Sequence, residues 1–305
     1  MKLVGLMPVR NEDWCLGLSA RVVLQWCDEL VVTLHACAER SHYIMREVFH
    51  ETQRVRFIHS FDPMWDEMRQ REIMLMTARQ DNATHIAMID ADEVLSANLL
   101  EPDIRIAGES RVRGFVSTLS PGQMLELPGY NLRGSLDRYH ANGIWGNRWF
   151  SCAFKDQPEA HWAGDKFHSR KPAGVKWQNW RPIQQGEGGI LHLWGASERR
   201  LRAKHALYKV VERLRFERKS VAEIDHLYNL WRSEADVTKY YNKLTLEPAW
   251  TYARVPVKSW WAHRLGPGEH PIDSDGEPWQ IAEVQRLVAE HGRDRFAGLD
   301  LFGVV

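Results

Sequence analysis

The run Ile89-Asp90-Ala91-Asp92-Glu93 places three carboxylates within four positions, directly after an apolar segment. Carboxylates packed this closely repel one another unless a cation neutralises them, and hard oxygen donors suit Mg2+ or Mn2+. Such an ion can bridge two phosphate oxygens of a nucleoside diphosphate and take up the charge of a departing phosphate. The plainer alternative is a polar turn that caps the next helix. A second cluster lies far downstream, in His192-Leu193-Trp194-Gly195-Ala196-Ser197-Glu198-Arg199-Arg200-Leu201-Arg202. Ser197 reads as a helix N-cap, yet arginines crowd the first turn, where positive charge opposes the helix dipole. A helix N-terminus lined with guanidinium groups attracts anions, so Arg199 and Arg202 are candidate phosphate contacts. The alternative there is a solvated basic helix balanced by Glu198, Glu212 and Glu217.

The elements that must position these groups follow from hydrophobic periodicity. Leu3 to Met7, Leu30 to Leu34, Val55 to Ile58 and Ile86 to Ile89 read as buried strands. Between them run amphipathic helices: one through Leu16, Ala20, Val23, Leu24 and Cys27, and one through Ile44 and Val48. A third carries Met68, Leu75 and Met76, with Asp62 as N-cap and Pro63 at its first position. Strand-helix alternation builds a mainly parallel α/β sheet of Rossmann type with helices on both faces, and ligands bind beyond the strands' carboxyl ends. The loops after Met7, Leu34, Ile58 and Ile89 should therefore line one crevice. From about Arg111 the pattern is irregular, with short strands and scattered Gly, Pro, Trp and Arg. A long helix then starts near Ser197, with Leu207, Val210, Val211 and Leu214 on one face, and a last helix passes through Ile281, Val284, Leu287 and Val288. The expected division is 1–110, a nucleotide-binding half; 111–219, a second half of the same domain; and 220–305, a mostly helical C-terminal extension.

Bulk composition narrows the function. The 305 residues carry 40 Lys+Arg against 40 Asp+Glu, a formal net charge of zero, which argues against non-specific coating of nucleic acid. Cys15, Cys27, Cys37 and Cys152 form no C-x-x-C pair, so buried reduced thiols are expected rather than a zinc or redox site. No signal peptide and no membrane-spanning apolar run is read, so a cytoplasmic protein without integral membrane contact is expected. Fourteen tryptophans stand out. Trp177, Trp180, Trp194, Trp250, Trp260 and Trp261 interleave with Lys and Arg. They could offer stacking surfaces to sugars or bases, or simply cover a core.

At the acidic run and three other places the chain resembles family 2 glycosyltransferases of the GT-A fold. Met7-Pro8-Val9-Arg10-Asn11-Glu12 is similar to that family's opening strand and its Asn-Glu turn, which lies against the nucleoside. Asp28-Glu29-Leu30-Val31-Val32 resembles its second strand, and Arg71 stands where the family often has an arginine near the nucleotide. The likeness covers roughly residues 1 to 100. It implies a GT-A-like fold, a nucleotide-sugar donor bound by Pro8, Arg10, Asn11, Glu12, His35, Arg71, Asp90, Ala91, Asp92, Arg199 and Arg202, and a metal, Mn2+ or Mg2+, at Asp90 and Asp92. Several GT-A enzymes bring a late His to the metal or diphosphate, which marks His192. Where the family places an Asp after its second strand, this chain has Thr33-Leu34-His35-Ala36-Cys37, so UDP is only the default nucleotide. Inversion at the anomeric carbon is likewise implied by the resemblance alone.

Transfer to a hydroxyl needs a base. Related enzymes use a His-Glu pair where this chain has His161 to Ser169. Asp165 is the first candidate, Glu187 the second and His168 the third. The acceptor stays open between a glycan or polysaccharide and a hydroxymethylated base of phage DNA. Two other classes are kept: a nucleotidyltransferase, disfavoured because Pro8 to Glu12 lacks the glycines of a phosphate loop, and a degenerate protein that binds a sugar nucleotide without turnover.

Overall fold

The first strand, β1 (Leu3–Val9), is buried along its whole length. An unbroken apolar run without alternation is what a strand covered on both faces requires. β2 (Glu29–His35) pairs parallel with β1, β3 (Val55–Ser60) parallel with β2, and β4 (His85–Met88) parallel with the other side of β1. Helices α1 (Leu16–Val23), α2 (Glu39–Thr52) and α3 (Glu67–Gln80) make the crossovers. In this computed structural model the described residues are 1–62, 65–103, 108–141, 145–164, 169–229, 252–254 and 276–305.

Two sequence expectations shift here. α1 ends at Val23 with Leu24 as its C-cap, so Cys27 lies beyond it. α3 is capped not by Asp62 but by Asp66, whose side chain accepts from the Arg69 backbone N–H at 3.1 Å. Asp62-Pro63 and Asp66 both precede an apolar pattern, and the helix starts after the second.

The chain continues through β5 (Glu93–Leu95), α4 (Ala97–Leu100), α5 (Arg111–Ser117), β6 (Gln123–Asn131), β7 (Arg138–His140), β8 (Arg148–Lys155), β9 (Gln178–Trp180) and β10 (Ile190–His192). The nine-stranded sheet runs β3-β2-β1-β4-β8-β6-β10-β5, with β9 beside β6. β8 is antiparallel to both β4 and β6. Past Arg111 the expected short strands occur, since β7, β9 and β10 have 3 residues each, but β6 has 9 and β8 has 8. β6 contains Pro128 and Gly129, which read as turn residues. In the fold Gly129 lets the Phe150 ring press against the backbone, where an added Cβ would stand 2.7 Å from ring carbons. A core of Val4, Leu6, Val31, Met74, Leu75, Ile86 and Phe154 seats the helices on the sheet. The class is mixed α/β, a central sheet flanked by helices, with parallel pairing on one side.

Among the described residues the chain divides into two compact units. The first holds residues 1–129 and 148–192. The second holds 130–147, 193–229, 252–254 and 276–305. The second contains α6 (Glu198–Arg215), α7 (Val221–Asn229) and α8 (Trp279–His291), whose buried residues include Val210, Ile224, Val284 and Leu287. Lys209 is fully buried there, with Nζ 2.8 Å from Asp225 and donating to the Asp300 carbonyl at 2.7 Å. β7 pairs antiparallel with β11 (Tyr252–Arg254). Among the described residues no helix is long and apolar enough to cross a membrane. All four thiols are free, and Cys15, Cys27 and Cys152 are buried.

Candidate active site

β4 stops at Met88, and the acidic turn follows at the carboxyl end of the parallel strands. Asp90 stays in place because Arg71, projecting from α3, donates to its Oδ1 at 2.7 Å. The same guanidinium donates through Nε to Glu67, one helical turn earlier, at 2.9 Å. On the other side the Arg170 guanidinium lies 3.7 Å from Asp90 Oδ2 and grips both oxygens of Glu93. Burial alone would raise the Asp90 pKa. The charges of Arg71 and then Arg170 outweigh it and hold the carboxyl at about 2. Burial would likewise lower the Arg71 and Arg170 pKa values, but the surrounding carboxylates push both upward, so these cations persist at any pH the fold meets.

Asp92 meets a different partner. β10 pairs antiparallel with β5 so that His192 stands opposite Glu93, and His192 Nε2 comes within 3.6 Å of Asp92 Oδ1. The Phe150 ring stands edge-on to the His192 imidazole at 5.6 Å. The side chains of His192 and Asp90 keep 23% and 31% of their surface, while Arg71, Asp92 and Glu93 are almost wholly enclosed. A ligand can thus reach the imidazole and the outer face of Asp90 while the ions that brace them stay dry.

The loops after β1 and β2 join beside this turn. Asn11 and Ala36 adopt left-handed conformations, φ 54° and φ 44°, directly after their strands. Asn tolerates that region because its short polar side chain bonds locally. Here Asn11 Oδ1 accepts the Ala38 N–H at 2.5 Å and so ties the two loops together. Glu12 accepts from the Trp14 indole at 2.7 Å, and Cys15 Sγ donates to the Ala91 carbonyl at 3.3 Å, linking the β1 exit to the acidic turn. His35 is fully buried, its ring edge-on to Trp65 at 5.0 Å. Pro8 is buried within β1, paired with Thr33, and Arg10 is half-buried at the strand's exit.

The second-half candidates fall differently. Asp165 and His168 lie outside the described residues, as do Trp250, Trp260 and Trp261. Glu187 is exposed and caps its own turn, accepting the Gln184 N–H at 2.7 Å. Arg199 and Arg202 belong to the second unit, where Arg199 pairs with Glu277 and Arg202 with Glu198 one turn back at 3.1 Å. Ser197 occupies the N-cap position without making a capping bond. Trp177 packs on Phe154 and bonds the Pro172 carbonyl, and Trp194 stacks on His205 at 5.3 Å. Trp180 sits edge-on to Phe115 at 6.0 Å. These contacts are those of core and support residues.

Sequence reasoning missed Arg170 and Glu67. The Glu67-Arg71 spacing of four is a legible helical pair. Nothing local marks Arg170, which lies 77 residues from Glu93. The next residue, Lys171, pairs with buried Glu126 at 2.7 Å, and Arg181 donates to that same carboxylate at 2.9 Å.

No protein-family model matches the chain, and no curated protein does. Among solved structures it is similar to HddC from Yersinia pseudotuberculosis, at 14% identity over 63% of this chain and 94% of that one, with a TM-score of 0.37. It is also similar to the mannosyltransferase PcManGT from Pyrobaculum calidifontis in complex with GDP-Man and Mn2+, at 10% identity over 72% and 65%, TM-score 0.37. A third is GalNAc-T7 with UDP, GalNAc and Mn2+, at 11% identity over 80% and 58%, TM-score 0.36.

Proposed function

We propose that the chain is a metal-dependent glycosyltransferase of GT-A type that moves a sugar from a nucleotide-sugar donor, UDP-sugar by default, to an acceptor hydroxyl. The observation that carries this reading is the approach of His192 to Asp92, 3.6 Å apart beside an arginine-braced Asp90 at the carboxyl ends of parallel strands.

Among the described residues no three His, Cys, Asp or Glu side chains are grouped to hold a metal. An ion here would be shared with its substrate, as Mg2+ usually is, held by one or two carboxylates plus phosphate oxygens and water. Asp92 and His192 would be the protein's ligands for Mn2+ or Mg2+, with Asp90 beside them. When bound, the ion would neutralise the leaving diphosphate. The chain's own residues do the rest. Arg71 fixes Asp90, the Asn11 and Ala36 turns present a rigid floor for the nucleoside, and the outer face of His192 meets the donor. The base is assigned from the sequence to Asp165 first, then Glu187, then His168. Among acceptors, the balanced charge favours a glycan over DNA.

One observation favours a second reading, donor binding without turnover: both oxygens of Asp90 already face guanidinium groups. The test is thermal stabilisation by UDP, GDP, CDP and ADP with and without Mn2+. A nucleotide far above its Kd should stabilise by about 2 to 4 kcal/mol. That gain should need Mn2+ and vanish in Asp92→Ala. Metal-independent binding unchanged in Asp92→Ala would reject the proposal, and binding without release of the free nucleotide would select the second reading.

A further inference from the structure

Arg170 uses its guanidinium more fully than any local fold requirement demands. Nε donates to the Ser151 carbonyl on β8 at 2.5 Å, and Nη2 donates to the Met88 carbonyl at the end of β4, also at 2.5 Å. Nη2 also reaches Glu93 Oε2 at 2.6 Å, while Nη1 takes Glu93 Oε1 and faces Asp90 Oδ2. Glu93 passes this constraint on. Its Oε2 accepts the Asp90 backbone N–H at 3.1 Å, and its own N–H donates to the Asp90 carbonyl at 3.0 Å. The turn that aims Asp92 is therefore closed at both ends by a residue that Arg170 holds. A second path runs to the partner of Asp92. The Arg170 guanidinium lies 5.7 Å from the Phe150 ring centre, and that ring stands against His192.

We propose that Arg170 is a positioning residue. It sets the Asp92–His192 geometry from both sides, through Glu93 on one and Phe150 on the other, and does not itself touch the substrate. The inference rests on the reading of Asp92 and His192 as the metal-binding pair. A guanidinium suits the task because its planar fork offers five donors in fixed directions, whereas a lysine offers a single point of charge. Glu93, enclosed to 1% exposure and gripped at both oxygens, is thereby kept as a strut rather than a ligand.

Arg79 supplies the control. It lies in the same unit and also grips several acceptors, Asp156 Oδ2 at 2.8 Å and the Gln157 and Ala160 carbonyls at 2.6 and 2.9 Å, but none on the acidic turn. Binding of Mn2+ alone is followed by electron paramagnetic resonance, and amide exchange of residues 90–95 is measured without metal. The full chain is used as wild type, Arg170→Lys, Arg79→Lys and Asp92→Ala. Arg170→Lys should weaken Mn2+ binding at least tenfold and speed exchange in the turn. Arg79→Lys should lower the melting temperature while leaving both readouts at wild-type values. If Arg170→Lys fails to fold, Glu93→Gln takes its place with the same expectation, because it removes the charge that Arg170 grips. Wild-type Mn2+ affinity in Arg170→Lys, alongside loss in Asp92→Ala, overturns the positioning role and leaves the proposed function standing. A wild-type chain that binds no Mn2+, either alone or with UDP, GDP, CDP or ADP present, overturns both.

Discussion

Arg71 and Arg199 each sit near the start of a helix and each meet a carboxylate, yet they belong to different kinds of interaction. Arg71 is 2% exposed and shared between Glu67 and Asp90. The Arg199 side chain keeps 57% of its surface and its partner Glu277 keeps 60%. Water screens the second pair and lets both partners rehydrate when it breaks. The Arg71 side of the first pair has no such refuge, so the guanidinium deprived of its carboxylates becomes a buried charge. Burial, and not the number of charges, separates the two pairs.

The largest effect should come from removing that refuge-less cation. Arg71→Ala removes the buried cation between Glu67 and Asp90, leaving Arg170 as the cation beside Asp90, and should cost about 3 to 5 kcal/mol in urea unfolding. A loss under about 1 kcal/mol would dissolve the contrast. Lys209→Ala tests whether burial governs equally in the second unit, since its partner Asp225 would stay behind; a loss of about 3 kcal/mol is expected by the same measurement.

Acid should then sharpen the comparison between the units. Burial depresses His140 and His205 in the second unit to about 3, and His85 in the first to about 4. The unfolded rings protonate near pH 6.5 while the folded ones stay neutral, so the unfolded state binds the extra proton. Stability is therefore full above about pH 6.5 and falls on acidification, by about 1.4 kcal/mol per pH unit for each histidine, until the folded values are reached. With two of the three rings, the second unit should lose amide-exchange protection first between pH 6 and 4 (roughly the middle of that window). Equal loss in both units would count against these two histidines. Gly129→Ala, which drives a methyl into the Phe150 ring, should cost about 1 to 3 kcal/mol. At the small end, Arg199→Ala and Arg202→Ala should each change stability by less than about 1 kcal/mol. A larger change would place α6 with the buried class.

The sites differ in how readable they were. The acidic turn follows a four-residue apolar strand, and β1, β2 and β3 are single runs, so local periodicity alone located the strand exits and the residues at them. At the start of α6 the sequence shows Arg199 and Arg202 but not the carboxylates that meet them in the fold. Glu277 lies 78 residues from Arg199. Pro128 and Gly129 concealed β6, because strand pairing and a neighbouring ring, neither of them local, made a turn-like pair acceptable.

The amino-acid order by itself determined the alternation of strand and helix through the fourth strand and the place of Asp90 and Asp92 at that strand's end. Those features arise from contacts within a few residues, and hydrophobic burial enforces them whatever the rest of the chain does. Only the tertiary structure decided that Arg170 braces the turn, that His192 faces Asp92, and that Arg199 and Arg202 take carboxylate partners of their own. Each of those outcomes depends on strands brought together from distant parts of the chain, and no local pattern encodes which side chains then meet.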